Sequence, residues 1–412
     1  LIHQVPFVVF ERNKSGHVSM NSRLYDLLEL FQEKDRLVNV VDFNRVAALS
    51  SIDSEKIKKV ISSWREFSLK FLSDSIDAGI QRYNESEKIR TVTGKEDECS
   101  GCGECITFCP KKSISFTRNS NGFQVPVIDT KTCIQCGLCK KICPVLNKTE
   151  QHTPIEVYGA YSKEEMAHSA SGGIVYNIAK ETIESGGVVY GAAYTDKLRV
   201  KITRVDSVED LSKIQGTKYV QADMTDVIEN VLTDLKNHLP VLFTGTPCEA
   251  AGVVDAAHRK KLEEKLTTIE VICHGTPSQK MFDDYLRWAK EHYKSDINTY
   301  AFRAKKSDKD KDFMLEIGLE NGRKLMVSGF KDPYYKMFMS AKWFRESCYS
   351  CPFAEKQRVA DLTVGDFWNA EKLPSNFGKG RRISVVLANT EKGLKCLHDA
   401  KKKINVVMTT WE

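Results

Sequence analysis

Two cysteine runs of identical spacing constrain this chain more than anything else in it. The first reads Cys99-Ser-Gly-Cys102-Gly-Glu-Cys105-Ile-Thr-Phe-Cys109-Pro110, and the second reads Cys133-Ile-Gln-Cys136-Gly-Leu-Cys139-Lys-Lys-Ile-Cys143-Pro144. Three cysteines separated by pairs of residues wrap a short loop around one iron–sulfur cubane, and the fourth, three residues on, is directed to a second. Each run then supplies three thiolates to its own cluster and one to its neighbour's. Cys99, Cys102, Cys105 and Cys143 are assigned to one 4Fe-4S cluster, and Cys133, Cys136, Cys139 and Cys109 to the other. Zinc knuckles are the competing account, but zinc sites use two separated cysteine pairs per metal, not a triple with a distal fourth followed by proline. Gly101, Gly103 and Gly137 fall where amides must turn toward sulfur, and some of these positions need positive φ.

Over this whole stretch the chain resembles the bacterial two-cluster ferredoxin domain, which implies electron transfer without naming a substrate. Of the 13 cysteines, eight lie in this pattern. Thiolates of this kind need a reducing compartment, so the cytoplasm is the expected location. At 412 residues the chain should hold roughly two to four domains, and 41% hydrophobic with 28% charged residues is an ordinary globular composition. A net charge of +6, scattered along the chain, gives no argument for nucleic acid. There is no apolar run of about eighteen residues, hence no expected transmembrane segment. The chain begins with Leu, and the expectation is that it starts inside a longer gene product.

Residues 1–85 open on the apolar run Val5-Pro-Phe-Val-Val-Phe10, read as a buried strand. Helical periodicity follows at Leu24, Leu27, Leu28, Leu30 and Phe31, and again from Ile57 through Val60, Ile61, Trp64 and Phe67 to Leu72. Strand, Ser22-Arg23-Leu24 opening a helix, and the helix around Trp64 to Ile76 resemble the C-terminal tail of the polysaccharide pyruvyl transferase family. That resemblance implies a partial Rossmann-like α/β segment and a glycan setting; no catalytic residue is carried over. From Gly79 to Asp97 the apolar period is lost and a linker is expected, with 86–97 as its core. The ferredoxin module is expected over 98–147, with a hairpin at Asn121-Gly122.

Residues 155–412 alternate strand-like and helix-like segments, which suggests an α/β domain around a largely parallel sheet. Strands are expected at Val157–Tyr161, Gly187–Gly191, Pro240–Phe243 and Thr268–Ile272, helices near 173–184, 224–237, 249–262 and 280–292, and an added hairpin at Asn321-Gly322. Cys248 and Cys273 each follow a strand, and the carboxyl ends of strands in an open sheet share one crevice. With Cys348 and Cys351 they make four soft ligands. A third 4Fe-4S site is the preferred account, against a structural zinc, buried apolar cysteines or a redox-active dithiol. Cys396, in a helical stretch, is read as core-facing. Ser171-Gly172-Gly173 before a helix, and Gly245-Thr246 at a strand end, are candidates to approach a phosphate or pyrophosphate through backbone amides. Lys356, Arg358 and Asp361 form a charged approach to a buried strand, with Asp366 and Trp368 beside it.

The series "SASGGIVYNIA", "GTPCEAAG", "ICHGTPS", "CYSCPFAEKQRVADLTVGDFW" and "GKGRRISVVLANTEKG", behind a two-cluster ferredoxin, resembles the coenzyme F-420 hydrogenase/dehydrogenase beta-subunit family over about residues 97–410. The resemblance implies a flavin-binding α/β domain holding FAD, with Ser171, Gly172, Gly173, Gly245 and Thr246 toward the flavin phosphates and Cys248, Cys273, Cys348 and Cys351 as cluster ligands. The expected function is an iron–sulfur flavoprotein oxidoreductase, its partner a redox protein or a small-molecule acceptor. Alternatives are an electron-transfer subunit without a substrate of its own, and a fragment of a bifunctional pyruvyl transferase and oxidoreductase. No acid or base is assigned, His274 being the nearest candidate.

Overall fold

The computed structural model describes residues 9–10, 37–38, 54–86, 92–94, 96–164, 168–305, 313–368 and 372–410. The chain divides into two units, Leu1–Glu85 and Ser86–Glu412. In the first, strand β1 (Val9–Phe10) pairs in parallel with β2 (Leu37–Val38), and helix α1 spans Ser54–Ser86. The expected strand residues before Val9 and the helical period at Leu24–Phe31 lie outside the described residues. The helix runs into the stretch read as linker, because Gln81, Arg82 and Glu85 are good helix formers that need no apolar face to continue a helix.

The second unit opens with the cysteine-rich segment: helix α2 (Glu104–Thr107), the hairpin β3 (Ile114–Arg118) and β4 (Gln124–Ile128), and helix α3 (Leu138–Ile142). The hairpin turns where Asn119 Oδ1 accepts from the amides of Asn121 and Phe123.

There follow β5 (Glu156–Ser162), α4 (Ile174–Glu184), β6 (Val188–Tyr194), β7 (Val200–Val205), α5 (Leu211–Ile214) and α6 (Val227–Lys236). Next come β8 (Val241–Gly245), α7 (Pro247–Lys260), β9 (Leu266–Val271), α8 (Gln279–Tyr293), β10 (Ile297–Ala304), β11 (Met314–Leu319) and β12 (Lys324–Ser328). The chain closes with α9 (Pro333–Met339), β13 (Leu362–Asp366), β14 (Ser384–Ala388), α10 (Glu391–Asp399) and β15 (Ile404–Thr409). Eight strands form one sheet in the order β15-β5-β14-β13-β9-β8-β6-β7, and β10-β11-β12 form a smaller antiparallel sheet turning at Asn321-Gly322.

Successive side chains on a strand face opposite sides, and both faces of the large sheet are covered. Val188, Tyr190, Val241 and Phe243 pack with α6, α7 and α8 in one core. Val189, Leu242, Ile269 and Val386 pack with α4 and α10 in the other. The expectation of a largely parallel sheet needs correction. Only β6–β8, β8–β9 and β9–β13 are parallel, while β7, β14, β5 and β15 join antiparallel. Three strands run against the rest: β7 and β15 at the two edges, and β14 inside, which opposes both of its neighbours and so restores β5 to the direction of β13. The carboxyl ends of β5, β13, β9, β8 and β6 therefore share one edge. No described helix is long and apolar enough to cross a membrane.

Candidate functional site

Each cysteine set is positioned by a short loop that feeds a short helix. Gly103 and Gly137 begin α2 and α3 in the left-handed region, at φ 88 and 72, and Gly101 sits at φ 79, which is the conformation the cysteine spacing asked for. Cys99, Cys102, Cys105 and Cys143 line one cavity together with Phe116, Pro126 and Val145. The Gly101 amide donates to Cys99 Sγ at 3.3 Å. Around the other set, the amides of Ser113 and Gln135 donate to Cys109 Sγ (3.3 Å) and Cys133 Sγ (3.4 Å). Cys109 and Cys139 pack into the same small apolar cluster, while Cys136 is exposed.

The third set is assembled from three separate segments. Cys248 lies in the first turn of α7, and Cys273 follows β9. Cys348 closes a 3₁₀ turn with Cys351 just beyond. Cys248, Cys348 and Cys351 line a cavity with Thr246, Glu249 and Arg345, and the Cys273 thiol is close enough to feel both Cys348 and Cys351. The Gly275 amide donates to Cys273 Sγ at 3.4 Å. Burial, augmented by neighbouring thiols, pushes Cys102, Cys105 and Cys248 well above a free thiol's value and Cys273 up to about 12. Thiols gathered this way stay protonated in the bare protein; a bound cationic centre deprotonates them. Among the described residues no three His, Cys, Asp or Glu side chains close on a single ion position. Cys99, Cys102, Cys105 and Cys143 line one cavity instead, and Cys248, Cys348 and Cys351 another.

Three features join the first and third sets. The cavities share Ser100 and Val145 as walls. Arg345, buried at 4% exposure, donates from Nε to the Cys99 carbonyl and from Nη1 to Gln221 (3.1 Å), and the Ser347 hydroxyl donates to the same Cys99 carbonyl at 3.1 Å. Helix α7 spans both sites. It starts at Cys248, brings Gly252 against Cys102, where a Cβ would lie 2.9 Å from the cysteine's own, and ends with Arg259 Nε donating to the buried Glu104 at 3.0 Å. Burial and the negative field of Asp255 push the Glu104 carboxyl up to about 8, against the pull of Arg259.

The phosphate candidates are not brought together. Ser171–Gly173 lies after β5 and Gly245-Thr246 after β8, four strand positions apart, or roughly 19 Å at the usual strand spacing. Their donors are also engaged. The Gly172 amide donates to Ser384 Oγ (2.9 Å), the Ser171 hydroxyl to the Ile383 carbonyl (3.2 Å), and the Thr246 amide to Glu249 Oε2 (2.8 Å) in a capping box. What sequence reading missed is a cationic and aromatic cluster at the β5 end. Gln215 donates to Ser169 (2.8 Å), and Arg382 to the Ala170 and Arg303 carbonyls. Arg303 pairs with Asp366 at 2.7 Å and covers the Phe313 ring, yet its Nε has no partner. Lys218 donates to three carbonyls, and burial pulls its ammonium down to about 7. The sequence signal was thin, since these residues come from four distant segments.

Other singled-out residues have structural roles. Arg358 is bound to the buried Glu270, and Asp361 accepts from the amide and hydroxyl of Thr268. Lys356 is exposed. Trp368, 75% exposed, stacks on Phe313. His274 is exposed, edge-on to Phe338 and Phe344. Cys396 packs against the α4 and α10 core.

Gly275 makes a sharp test of the Cys273 loop. Its φ is +126, and a Cβ there would stand 2.1 Å from Phe344. Gly275→Ala is expected to cost about 1–3 kcal/mol, read from the midpoint of denaturant unfolding. A midpoint equal to wild type would show that the loop is free to relax.

Residues 239–411 match a family model that describes the C-terminal part of the beta subunit of coenzyme F420 hydrogenase/dehydrogenase. Residues 98–147 and 129–186 match two 4Fe-4S dicluster domain models, which overlap on the second cysteine run. An uncharacterized protein of Methanocaldococcus jannaschii is 26% identical over 189 residues, covering 37% of this chain and 51% of that protein. An uncharacterized ferredoxin of the same organism is 35% identical over 48 residues, covering 12% of this chain and 61% of the ferredoxin. The ketoisovalerate oxidoreductase subunit VorC of Methanothermobacter marburgensis is 33% identical over 57 residues, covering 13% of this chain and 72% of that protein. The chain thus spans about half the length of the first of these relatives and under two thirds of the second. A chain in the F420-reducing NiFe hydrogenase complex from Methanosarcina barkeri superposes with a TM-score of 0.43 at 17% identity, covering 62% of this chain and 82% of that one.

Proposed function

We propose, for a chain that belongs to the coenzyme F420 hydrogenase/dehydrogenase beta-subunit family by its C-terminal domain and carries a 4Fe-4S dicluster domain before it, an iron–sulfur flavoprotein oxidoreductase with three cluster sites. Cys99, Cys102, Cys105 and Cys143 hold the inner ferredoxin cluster, Cys133, Cys136, Cys139 and Cys109 the outer one, and Cys248, Cys273, Cys348 and Cys351 a third. The observation that carries this reading is the wall of Ser100 and Val145 shared by the first and third cavities. A dicluster ferredoxin that served only as a detachable appendage would have no reason to pack a cysteine cavity against another.

When bound, such clusters supply one-electron steps, and a flavin would link them to a two-electron step on an acceptor. The chain's own part is placement and exclusion of water. Backbone amides of Gly101, Ser113, Gln135 and Gly275 point at sulfur and favour the thiolate. Arg345 puts a buried positive charge between the inner and third cysteine sets, where it offsets their negative charge. For FAD, the engaged donors of Ser171, Gly172 and Thr246 shape the sheet edge instead of grasping phosphate, and the group that fits an anionic cofactor is Arg303, whose Nε has no partner among the described residues. Residues 1–85 are read as a pyruvyl transferase-like tail, which would place the activity beside polysaccharide synthesis in the cytoplasm, with a redox protein or a small molecule as partner.

The test is composition. Purified without oxygen, the chain should carry about twelve irons with matching sulfide and one extractable FAD. About eight irons and no flavin would reduce the reading to a ferredoxin attached to a domain of other purpose.

A further inference from the structure

The three cysteine sets differ in their relation to solvent. Cys99, Cys102 and Cys105 are 8% exposed, and the four cysteines of the third set are half-buried. The second run is turned outward: Cys136 is exposed and Ile134 beside it is 57% exposed. Tunnelling between proteins needs close approach, so this loop is where a protein could come nearest to the chain's redox centres.

The segments that flank these cysteines are basic. Lys111 and Lys112 follow Cys109, Lys131 precedes Cys133, and Lys140 and Lys141 follow Cys139; all five are exposed and none forms an ion pair with another described residue. Of the carboxylates in residues 98–147, Glu104 is buried against Arg259, and Glu98 lies at the third cavity. Asp129 spends its carboxylate on the Lys131 amide and the Thr132 hydroxyl. An exposed apolar residue in a lysine-rich segment whose lysines form no ion pair with a described residue fits a partner with an acidic rim around an apolar contact. A second copy of the chain would bring like charge to it.

Building on the electron-relay reading above, we propose that the loop Cys133–Cys139 is the electron port of this chain and that its partner is an acidic one-electron carrier protein. In each encounter the carrier is oxidised by one electron and the chain is reduced by one, with no bond made or broken. Steering by the lysines sets the encounter rate.

The experiment uses the full chain, purified without oxygen and assayed for iron and sulfide. Its reduction by a pre-reduced acidic two-cluster ferredoxin is followed by stopped flow at rising sodium chloride. The second-order rate should fall roughly tenfold or more between low and high salt. The double variant Lys140→Glu, Lys141→Glu should lose about tenfold at low salt and most of the salt dependence. The same charge change at Lys401→Glu, Lys402→Glu, on the exposed turn before β15, should leave the rate near wild type, and reduction by methyl viologen radical should be unchanged in every variant. A rate indifferent to salt, or equal in the two double variants, overturns the port while viologen reduction leaves the relay reading standing. Failure of viologen to reduce chain of full iron content overturns the relay reading, and the port with it. Salt-sensitive self-association or binding to anionic vesicles through these lysines, without an effect on transfer, assigns the face to another occupant and also overturns the proposal.

Discussion

Replacing Cys351 with serine is expected to take iron from about twelve per chain to about eight, with acid-labile sulfide falling in step. Cys351 lines the third cavity with Cys248 and Cys348, and a serine hydroxyl is a poor substitute for a soft thiolate at iron. The loss should be confined to that site, because the eight cysteines of 98–147 draw no ligand from residue 351. Cys396→Ser is the comparison: that thiol packs in the core on the opposite face of the sheet and should leave twelve irons. Stability should fall as well, since the third set ties together the start of α7, the loop after β9 and the segment at 348–351, and metal-binding energy is folding energy. Zinc predicts something different. Tetrahedral zinc at about 2.3 Å from each sulfur would hold the four sulfurs about 3.8 Å apart around a single ion. If the chain carries eight irons and one zinc, and Cys351→Ser loses the zinc alone, the third cluster is sunk.

Local pattern carried the fold far and then stopped at a definite physical boundary. The strands at Val157, Gly187, Pro240 and Thr268 and the helices between them were legible because each has its own period. Cysteine spacing alone anticipated that Cys99, Cys102, Cys105 and Cys143 line one cavity. The direction of β14 was not legible: "ISVVLA" reads the same whether it enters the sheet parallel or antiparallel, and with the edge strands β7 and β15 it makes the sheet mixed. The small residues at Ser171–Gly173 were read as phosphate ligands because their type suits that task. In the folded chain the same smallness serves close packing, and a Cβ on Gly172 would meet the Ala160 carbonyl oxygen at 2.6 Å. Arg303, Lys218 and Arg382 were beyond reach for the opposite reason. No one of them is unusual in its own segment, and only tertiary structure gathers them at the end of β5.

The largest stability effect should come from Glu270, in the middle of the large sheet and three residues before Cys273. It is fully buried, and its carboxylate accepts from Arg358 Nε, from the amides of Val359 and Ala360 (both 3.3 Å) and from the Thr363 hydroxyl (3.0 Å). Glu270→Ala leaves the Arg358 charge buried without compensation, a loss of about 3–5 kcal/mol, and strands two amides that each add a desolvation cost of about 1–3 kcal/mol where water cannot reach them. Against a whole-domain stability of about 5–15 kcal/mol, the variant is expected at the edge of unfolding, with a large drop in denaturant midpoint. The double variant Glu270→Leu, Arg358→Met removes both charges and should recover part of the loss, because a buried ion pair often stabilises little more than the apolar groups that could replace it. A single substitution costing less than about 1 kcal/mol would mean that Arg358 escapes to solvent or finds another acceptor. The consequence reaches the chemistry. Val359 and Ala360 are held to β9 through this carboxylate, and the segment they continue carries Cys348 and Cys351, so Glu270 fixes the spacing between the two halves of the third cysteine set. If that is its role, the single variant should lose iron at the third site before it loses secondary structure, and the double variant should regain stability without regaining all of the iron.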